Sequence, residues 1–146
     1  MDDIRHAGLI ARRIRGRWLG ALIEGPSGAG KSDLALRALD WGFRLVADDR
    51  VLVWAADGRV FGRAPAPLRG LIEARGLGVI PVEPVAFAEI GLVVRLGTPE
   101  RMPEPATEAI SGIEVPLLTA AAFELSAPAK LGRALEAFDA ARKRGI

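Results

Sequence analysis

The chain has 146 residues, of which half are hydrophobic and about a quarter charged; it contains no cysteine and carries a formal net charge of +2. This composition predicts one globular domain with its own core, and it excludes a disordered chain, a disulfide scaffold and a thiolate metal site. We also expect a cytoplasmic protein without membrane association, because no apolar run approaches the roughly 20 residues of a bilayer span and no secretion signal begins the chain.

Two short runs hold much of the positive charge. The first consists of Arg12, Arg13, Arg15 and Arg17, and the second of Arg142, Lys143 and Arg144. The second run is typical of a solvated helix end, where positive charge favours the helix dipole. The first run predicts a solvent-facing edge; nucleic acid or an acidic protein is the alternative partner, but the lack of interleaved aromatic residues makes nucleic acid binding unlikely on sequence grounds.

The first half of the chain predicts a strand, a helix, a second strand and a hairpin. Residues 18–24 are a short apolar run that ends at a glycine turn, as a buried strand does. Residues 31–41 repeat apolar side chains at helical spacing and stop before Gly42. Residues 43–47 predict the second strand, and residues 51–55 and 59–61 flank Asp57-Gly58, a dipeptide that favours tight hairpin turns.

The second half contains more turns. Prolines on both sides make residues 68–80 a predicted loop, residues 89–96 predict a core strand, and residues 99–105 predict a turn-rich connection to a short strand at 115–118. Residues 130–144 predict a helix whose apolar stripe packs on the sheet. The whole chain, residues 1–146, is therefore expected to be a single α/β domain with few helices and a large share of strand.

A glycine-rich loop joins the first predicted strand to the first helix and satisfies the pattern G-x-x-x-x-G-K-[ST]. Its eight residues are Gly25, Pro26, Ser27, Gly28, Ala29, Gly30, Lys31 and Ser32. Glycines allow the backbone to wrap a phosphate at a helix N-terminus, while the lysine reaches the outer phosphates and the serine hydroxyl ligates magnesium. Such a turn can also join strand to helix without a ligand, but its position between an apolar strand and a periodic helix favours nucleotide binding.

Two carboxylates follow the second predicted strand, at Asp48 and Asp49. In a phosphoryl-transfer site one carboxylate holds the metal and another accepts the proton of the attacking hydroxyl. Both can serve only if the strand ends there, because consecutive strand residues point to opposite faces. The alternative keeps one of them as a cap or as an ion-pair partner of Arg44 or Arg50.

Glu73 lies in the proline-bounded segment beside Arg75 and the glycines Gly76 and Gly78. Taken alone, an acidic residue next to an arginine predicts a surface pair rather than a ligand.

Three of these motifs, in this order, resemble the HPr kinase/phosphorylase family: the loop Gly-Pro-Ser-Gly-Ala-Gly-Lys-Ser-Asp, the strand Arg-Leu-Val-Ala-Asp-Asp and the stretch Glu-Ala-Arg-Gly-Leu-Gly-Val-Ile. The resemblance extends over essentially the whole chain. It implies a strand-rich mixed sheet of the kind shared with phosphoenolpyruvate carboxykinase. It also implies ATP and Mg²⁺ as cofactors, and phosphorylation of a serine in HPr, the small carrier of the sugar phosphotransferase system.

The resemblance assigns roles residue by residue. Lys31 is the phosphate-binding lysine, Ser32 and Glu73 are the magnesium ligands, and Asp49 accepts the serine proton with Asp48 beside it. Residues 72–80 correspond to the signature loop near the reacting phosphoryl group. Arg101 corresponds to a functional arginine by local context, and His6 is the only candidate for a family histidine, with a solvated N-terminal residue as its alternative.

The departures from the family pattern bear on activity. The long forms carry a further N-terminal domain, so this sequence is expected to be the short, catalytic-domain type; those long forms are hexamers, which makes a homo-oligomer plausible. Where the family has an arginine-rich segment linked to phosphorolysis, residues 126–130 retain charge only at Lys130. Kinase activity is therefore expected and the reverse phosphorolysis is doubtful. The rival hypotheses are a P-loop nucleotide switch or ATPase without transfer to a protein serine, and a small-molecule kinase.

Overall fold

The structure is a computed structural model that describes residues 3–143. Its elements in chain order are β1 (Asp3–Arg5), β2 (Gly8–Ile14), β3 (Arg17–Glu24), α1 (Lys31–Ala38), β4 (Arg44–Ala47), β5 (Val51–Ala56), β6 (Arg59–Arg63), β7 (Leu71–Ala74), β8 (Gly78–Pro81), β9 (Ala88–Leu96), β10 (Ala106–Ile110), β11 (Ile113–Ala120) and α2 (Ala127–Lys143). Short 3₁₀ turns at Leu39–Trp41 and Ala66–Leu68 complete the set.

Nine strands form one mixed sheet, whose main path runs β1-β5-β6-β9-β3-β2-β4. The parallel pair β3 and β9 lies at its centre. One edge of β9 is shared, because β6 pairs with its first two residues and β11 pairs with its last four. The ends of β3, β4, β9 and β11 therefore meet at one margin of the sheet, and that margin carries the candidate site.

The central strands are buried on both faces. In β3, Ala21 and Ile23 face the core formed with the two helices, while Leu22 faces a second core enclosed by the rest of the sheet. Fully burying one large aliphatic side chain contributes about 1.5–3 kcal/mol. Burial on both faces explains why residues 18–24 are continuously apolar rather than alternating.

Most of the predicted elements are confirmed, with small shifts at their ends. The strands over residues 18–24, 43–47 and 89–96, the hairpin around Asp57-Gly58 and the turn-rich connection after β9 are all present. The final helix begins earlier than predicted, at Ala127, where Pro128 suits the first turn since its missing N–H has no helical partner there. The predicted helix end at Arg144 lies outside the described residues.

The prediction of a loop over residues 68–80 is wrong. Leu71–Ala74 and Gly78–Pro81 pair as an antiparallel hairpin in a small separate sheet. Its turn uses Gly76 and Gly78 with φ of 90° and 110°, so these glycines form a defined turn and not a flexible linker. Buried Ile72 and Ala74 hold the hairpin against the rest of the domain.

The interpretation of the first arginine run also needs correction. These residues lie in β2, in the turn after it and at the start of β3, and β2 is an interior strand between β3 and β4 rather than an edge. Arg13 lies over the ring of Trp18, while Arg15 and Arg17 pair with Asp139 of α2. The run therefore contacts partners within the domain.

Among the helices described in residues 3–143, none combines the length and the apolar character that crossing a bilayer requires.

Candidate functional site

Residues 25–32, which we call the phosphate loop, form a tight turn between β3 and the start of α1. Gly30 is the N-cap of α1 with φ 101°, and Gly28 also has a left-handed φ, of 83°. The amide of Ala29 donates to the carbonyl of Pro26 at 3.0 Å, which closes the turn. Within the described part of the chain, no side chain caps the N-terminus of α1. The helix start is thus available to an anion, which the unpaired N–H groups and the helix dipole both favour.

Lys31 folds back over this loop. Its ammonium donates to the carbonyl oxygens of Gly25 at 2.6 Å and Pro26 at 3.1 Å, and the residue is only 9% exposed. An ammonium has three N–H donors, so one donor remains after these two bonds. The lysine is therefore fixed at the loop, with its positive charge and one N–H donor left for a further partner.

Asp48 ties together three parts of the chain. One carboxylate oxygen accepts a hydrogen bond from the hydroxyl of Ser32 at 2.7 Å, and the other accepts from the backbone N–H of Glu73 at 3.0 Å. Asp48 is 8% exposed. A buried carboxylate with both oxygens engaged is held in one orientation, so Asp48 connects the phosphate loop with the hairpin of β7 and β8.

Asp49 differs from Asp48 in both backbone and environment. The strand β4 ends at Ala47, and Asp49 adopts a left-handed φ of 69°, which lets both consecutive carboxylates reach the site. Its side chain is 56% exposed and lies 2.7 Å from Nε2 of His6. Asp49 also forms a long ion pair of the kind that the sequence offered as an alternative role, since Nε of Arg50 is 3.9 Å from its other carboxylate oxygen. Arg44 instead lies near Glu83.

The hairpin brings the predicted signature residues to the same place. Glu73 and Arg75 line a cavity of about 350 Å³ together with the phosphate loop, and the exposed Glu73 side chain faces this space. The other lining residues are His6, Ser27, Gly28, Gly30, Lys31, Ser32, Asp33, Leu36, Asp49 and Phe123. Residues distant in sequence, from His6 to Phe123, thus meet around one opening.

Arg101 is the predicted site residue that stays apart. It lies exposed in the connection between β9 and β10 and is not among the described residues that line the cavity. Conversely, sequence reasoning missed Phe123, whose ring packs on the loop glycine Gly30: a Cβ at that glycine would lie 2.8 Å from Cζ of Phe123. A single phenylalanine outside any motif gives no sequence signal for this position.

The oxygen atoms around the cavity suit a magnesium ion. Within residues 3–143, no three His, Cys, Asp or Glu side chains enclose a metal. Mg²⁺ does not need such a cage, because it keeps several waters and is held by one or two protein oxygens plus phosphates. The hydroxyl of Ser32, whose proton is donated to Asp48, and the exposed carboxylate of Glu73 provide such oxygens.

A family model described as the HPr serine kinase C-terminal domain matches residues 9–118, more than half of the chain. This chain belongs to the HPr serine kinase C-terminal domain family. The matched region of the HPr serine kinase domain contains the phosphate loop, Asp48, Asp49 and Glu73, while His6 and Phe123 lie outside it. The predicted resemblance and the predicted fold class are therefore confirmed.

Individual relatives agree with this family. HPr kinase/phosphorylase of Enterococcus faecalis is 39% identical over 121 residues, covering 69% of this chain and 39% of the relative. The protein of the same name from Limosilactobacillus reuteri is 39% identical over 132 residues, covering 80% and 39%. This HPr serine kinase domain thus spans about two-fifths of the length of these curated relatives.

A solved structure extends the similarity beyond the matched segment. The HPr(Ser) kinase/phosphatase from Coxiella burnetii superposes with a TM-score of 0.78 at 27% sequence identity, covering 98% of this chain and 93% of that one. At this coverage the shared fold extends beyond residues 9–118 and includes most of α2.

Proposed function

We propose that this domain is an ATP-dependent protein serine kinase that phosphorylates a serine of HPr or of a related phosphocarrier. The observation that carries the proposal is the convergence of the phosphate loop, the His6–Asp49 pair and Glu73 on one cavity. Each motif alone has another explanation, but an anion-binding loop, a metal-suited oxygen set and an exposed carboxylate in one place are the parts that phosphoryl transfer requires.

The triphosphate of ATP is proposed to lie along Gly25–Ser32. The uncapped start of α1 and the Lys31 ammonium neutralise its charge. Ser32 and Glu73 are proposed to hold Mg²⁺, which neutralises the charge that develops on the transferred phosphoryl group. Asp48 acts by positioning, because it fixes the Ser32 hydroxyl and the backbone of Glu73 at the same time.

Asp49 is proposed to accept the proton of the attacking serine hydroxyl. Its carboxylate is exposed toward the cavity and therefore reachable by a protein substrate. The hydrogen bond with His6 orients one carboxylate oxygen and leaves the other for the serine. We therefore propose His6 as a partner of the base, a role that the sequence alone could not distinguish from that of a solvated N-terminal residue.

The forward reaction is proposed to dominate over phosphorolysis. The one basic side chain of residues 126–130, Lys130, makes an ion pair with Glu124. A cation already engaged by a carboxylate is a poor ligand for an additional phosphate group, since the existing pair must first be broken.

A labelling experiment separates this kinase from its main rival, a nucleotide switch or ATPase. The domain is incubated with Mg²⁺ and ATP labelled at the γ-phosphate, with and without HPr, and both free phosphate and protein-bound label are measured. The proposal predicts label on HPr that exceeds the free phosphate released. Phosphate release that is unaffected by HPr, with no label on the protein, would support the switch instead. Equal ATP affinity and transfer in Lys31→Ala would remove the assignment of the phosphate loop.

A further inference from the structure

A second cavity adjoins the phosphate loop on the side away from the carboxylates. It has a volume of about 510 Å³ and is open to solvent. Small and apolar residues from the loop, the end of β9 and the segment after β11 line it: Pro26, Ala29, Leu96, Gly97, Ala121, Ala122, Phe123 and Glu124. Phe123 lines both cavities, so its ring stands at the boundary between them.

Phe123 is held in place although it is 69% exposed. The guanidinium of Arg37 in α1 donates to the carbonyl oxygens of Ala122 and, at 3.4 Å, Glu124 on either side of it. Arg37 is in turn fixed by Asp33 at 2.8 Å. The segment is therefore anchored to the helix that follows the phosphate loop. The fixed ring is part of the lining of both cavities, so its exposed face is accessible to an aromatic ligand bound there.

We propose that this second cavity is the subsite for the base of the nucleotide, and that the base stacks on the ring of Phe123. This inference rests on the proposed nucleotide-dependent function and specifies how the remaining part of the nucleotide is bound. The ligand class is a nucleoside triphosphate with a heteroaromatic base, and the step is binding without covalent change.

The direction of the nucleotide follows from the order of the strands. β3 lies between β2 and β9, and β4 lies beyond β2. Asp48 and Asp49 follow β4, so the reacting end of a triphosphate lies on that side of the phosphate loop. The cavity with Phe123 follows β9 and β11, on the opposite side. A nucleotide whose phosphates follow the loop therefore reaches the cavity with its other end.

The chemistry of the lining predicts stacking rather than recognition of the base edge by side chains. Within the lining residues the one charged side chain is that of Glu124, which is paired with Lys130 and accepts a hydrogen bond from Ser126 at 3.2 Å. These hydrogen bonds, led by that of Lys130, lower the pKa of Glu124. Stacking on an aromatic ring accepts any base, since every base presents a π-face.

The test compares ATP with inorganic tripolyphosphate, both with Mg²⁺, by calorimetric titration of wild-type protein and of Phe123→Ala. The two ligands share the triphosphate and differ in the nucleoside. The subsite predicts that Phe123→Ala weakens ATP binding about 5- to 100-fold. It also predicts a clearly smaller loss for tripolyphosphate, because the variant removes the ring contact at Gly30 but keeps Lys31 and the backbone N–H groups at the start of α1.

Two further variants complete the experiment. Leu125→Ala is the matched control, because Leu125 is 93% exposed in the same segment and is not a lining residue; it should leave both affinities unchanged. Phe123→Tyr keeps the stacking face and should retain ATP affinity within about three-fold of wild type. Unchanged ATP binding in Phe123→Ala, or an equal loss for both ligands, would overturn the subsite. Failure of wild-type protein to bind either ligand would overturn the proposed function as well.

Discussion

The two ends of the central strands β3 and β9 differ in how their charged side chains are buried and paired. At the end where these strands begin, Glu89 and Asp139 are each 4% exposed and fully paired. Glu89 accepts hydrogen bonds from Arg17 at 3.1 Å and Arg142 at 2.9 Å, and Asp139 accepts from Arg15 at 2.8 Å and Arg17 at 2.5 Å. This network joins α2 to the turn between β2 and β3.

At the end where the strands finish, Glu24 and Arg95 are paired with Arg5 and Glu108, but most of the charged side chains that line the candidate site are exposed. Asp49 and its partner His6 are both more than half exposed, and the Glu73 side chain faces the cavity. Lys31 is bonded only to carbonyl oxygens of its own loop and has no carboxylate partner among the described residues. Glu73 and the His6–Asp49 pair are thus positioned at the cavity and remain exposed.

This difference separates stability from function. Removing one member of a buried charge pair leaves the other desolvated and unpaired, which costs folding free energy. Removing an exposed catalytic group costs little folding free energy but abolishes an interaction that matters in the transition state. Variants at the end with the candidate site should therefore lower the rate of transfer and leave stability unchanged. Variants at the other end should lower stability and leave the rate of transfer unchanged.

The largest effect is expected for Asp49→Asn. The amide has the same shape but cannot accept the serine proton, so the rate of phosphoryl transfer should fall about 10²- to 10⁴-fold. The midpoint of urea unfolding should stay unchanged, because asparagine tolerates the left-handed φ of this position. Asp57→Asn is the matched control: Asp57 is exposed, has a φ of 52° and lies in the remote β5–β6 turn. A wild-type transfer rate in Asp49→Asn would remove Asp49 as the base.

A smaller free-energy effect is expected for Asp139→Asn, and it concerns the stability of the fold rather than the rate of transfer. The change leaves Arg15 and Arg17 without their shared carboxylate, and since both arginines are partly exposed, we expect a loss of about 2 kcal/mol in the free energy of unfolding. Transfer at 25 °C should remain near the wild-type rate. Glu136→Gln on the same helix is the control, since its pair with Arg12 spans 3.8 Å at the surface. A transfer defect without destabilisation would contradict the separation of the two ends.

The smallest effect is a change in acid sensitivity. Hydrogen bonds from Arg17 in the first place, and then from Arg15, hold the pKa of Asp139 below its usual range against the opposing effect of burial. The unfolded chain therefore binds this proton more readily, so the stabilisation is complete above the unfolded value of about 3.9 and is lost as pH falls through the folded value. Urea titrations between pH 5 and pH 2.5, at about half-unit steps, should show a shallower pH dependence in Asp139→Asn. Identical slopes would contradict the assignment.

The local chemistry of the site could be predicted from the sequence, since the phosphate loop and the Asp48-Asp49 pair are contiguous motifs next to strands that their apolar runs identify. Contacts between distant residues could not. The bond between His6 and Asp49 joins residues 43 positions apart, and it depends on β1 and β2, which the sequence analysis missed because arginines interrupt the apolar pattern of β2.

The hairpin of β7 and β8 and the position of Phe123 were missed for different reasons. Gly76 and Gly78 are compatible with either a flexible loop or a tight turn, and the choice depends on burial of Ile72 against the domain. Phe123 acquires its position from Arg37, whose contact with the segment after β11 spans 85 residues. Arg101 shows the reverse case, since local context predicts it as a site residue, while it does not belong to the described lining of the cavity.

The most direct test of the central claim is to identify the residue that receives the γ-phosphoryl group. HPr is incubated with the domain, Mg²⁺ and γ-labelled ATP, and the labelled residue is mapped by mass spectrometry for wild type and for Asp49→Asn. A serine kinase with Asp49 as its base should give a single phosphoserine with the wild-type domain and almost none with Asp49→Asn, although both bind ATP equally. Label on a histidine, or equal phosphoserine from both proteins, would contradict it.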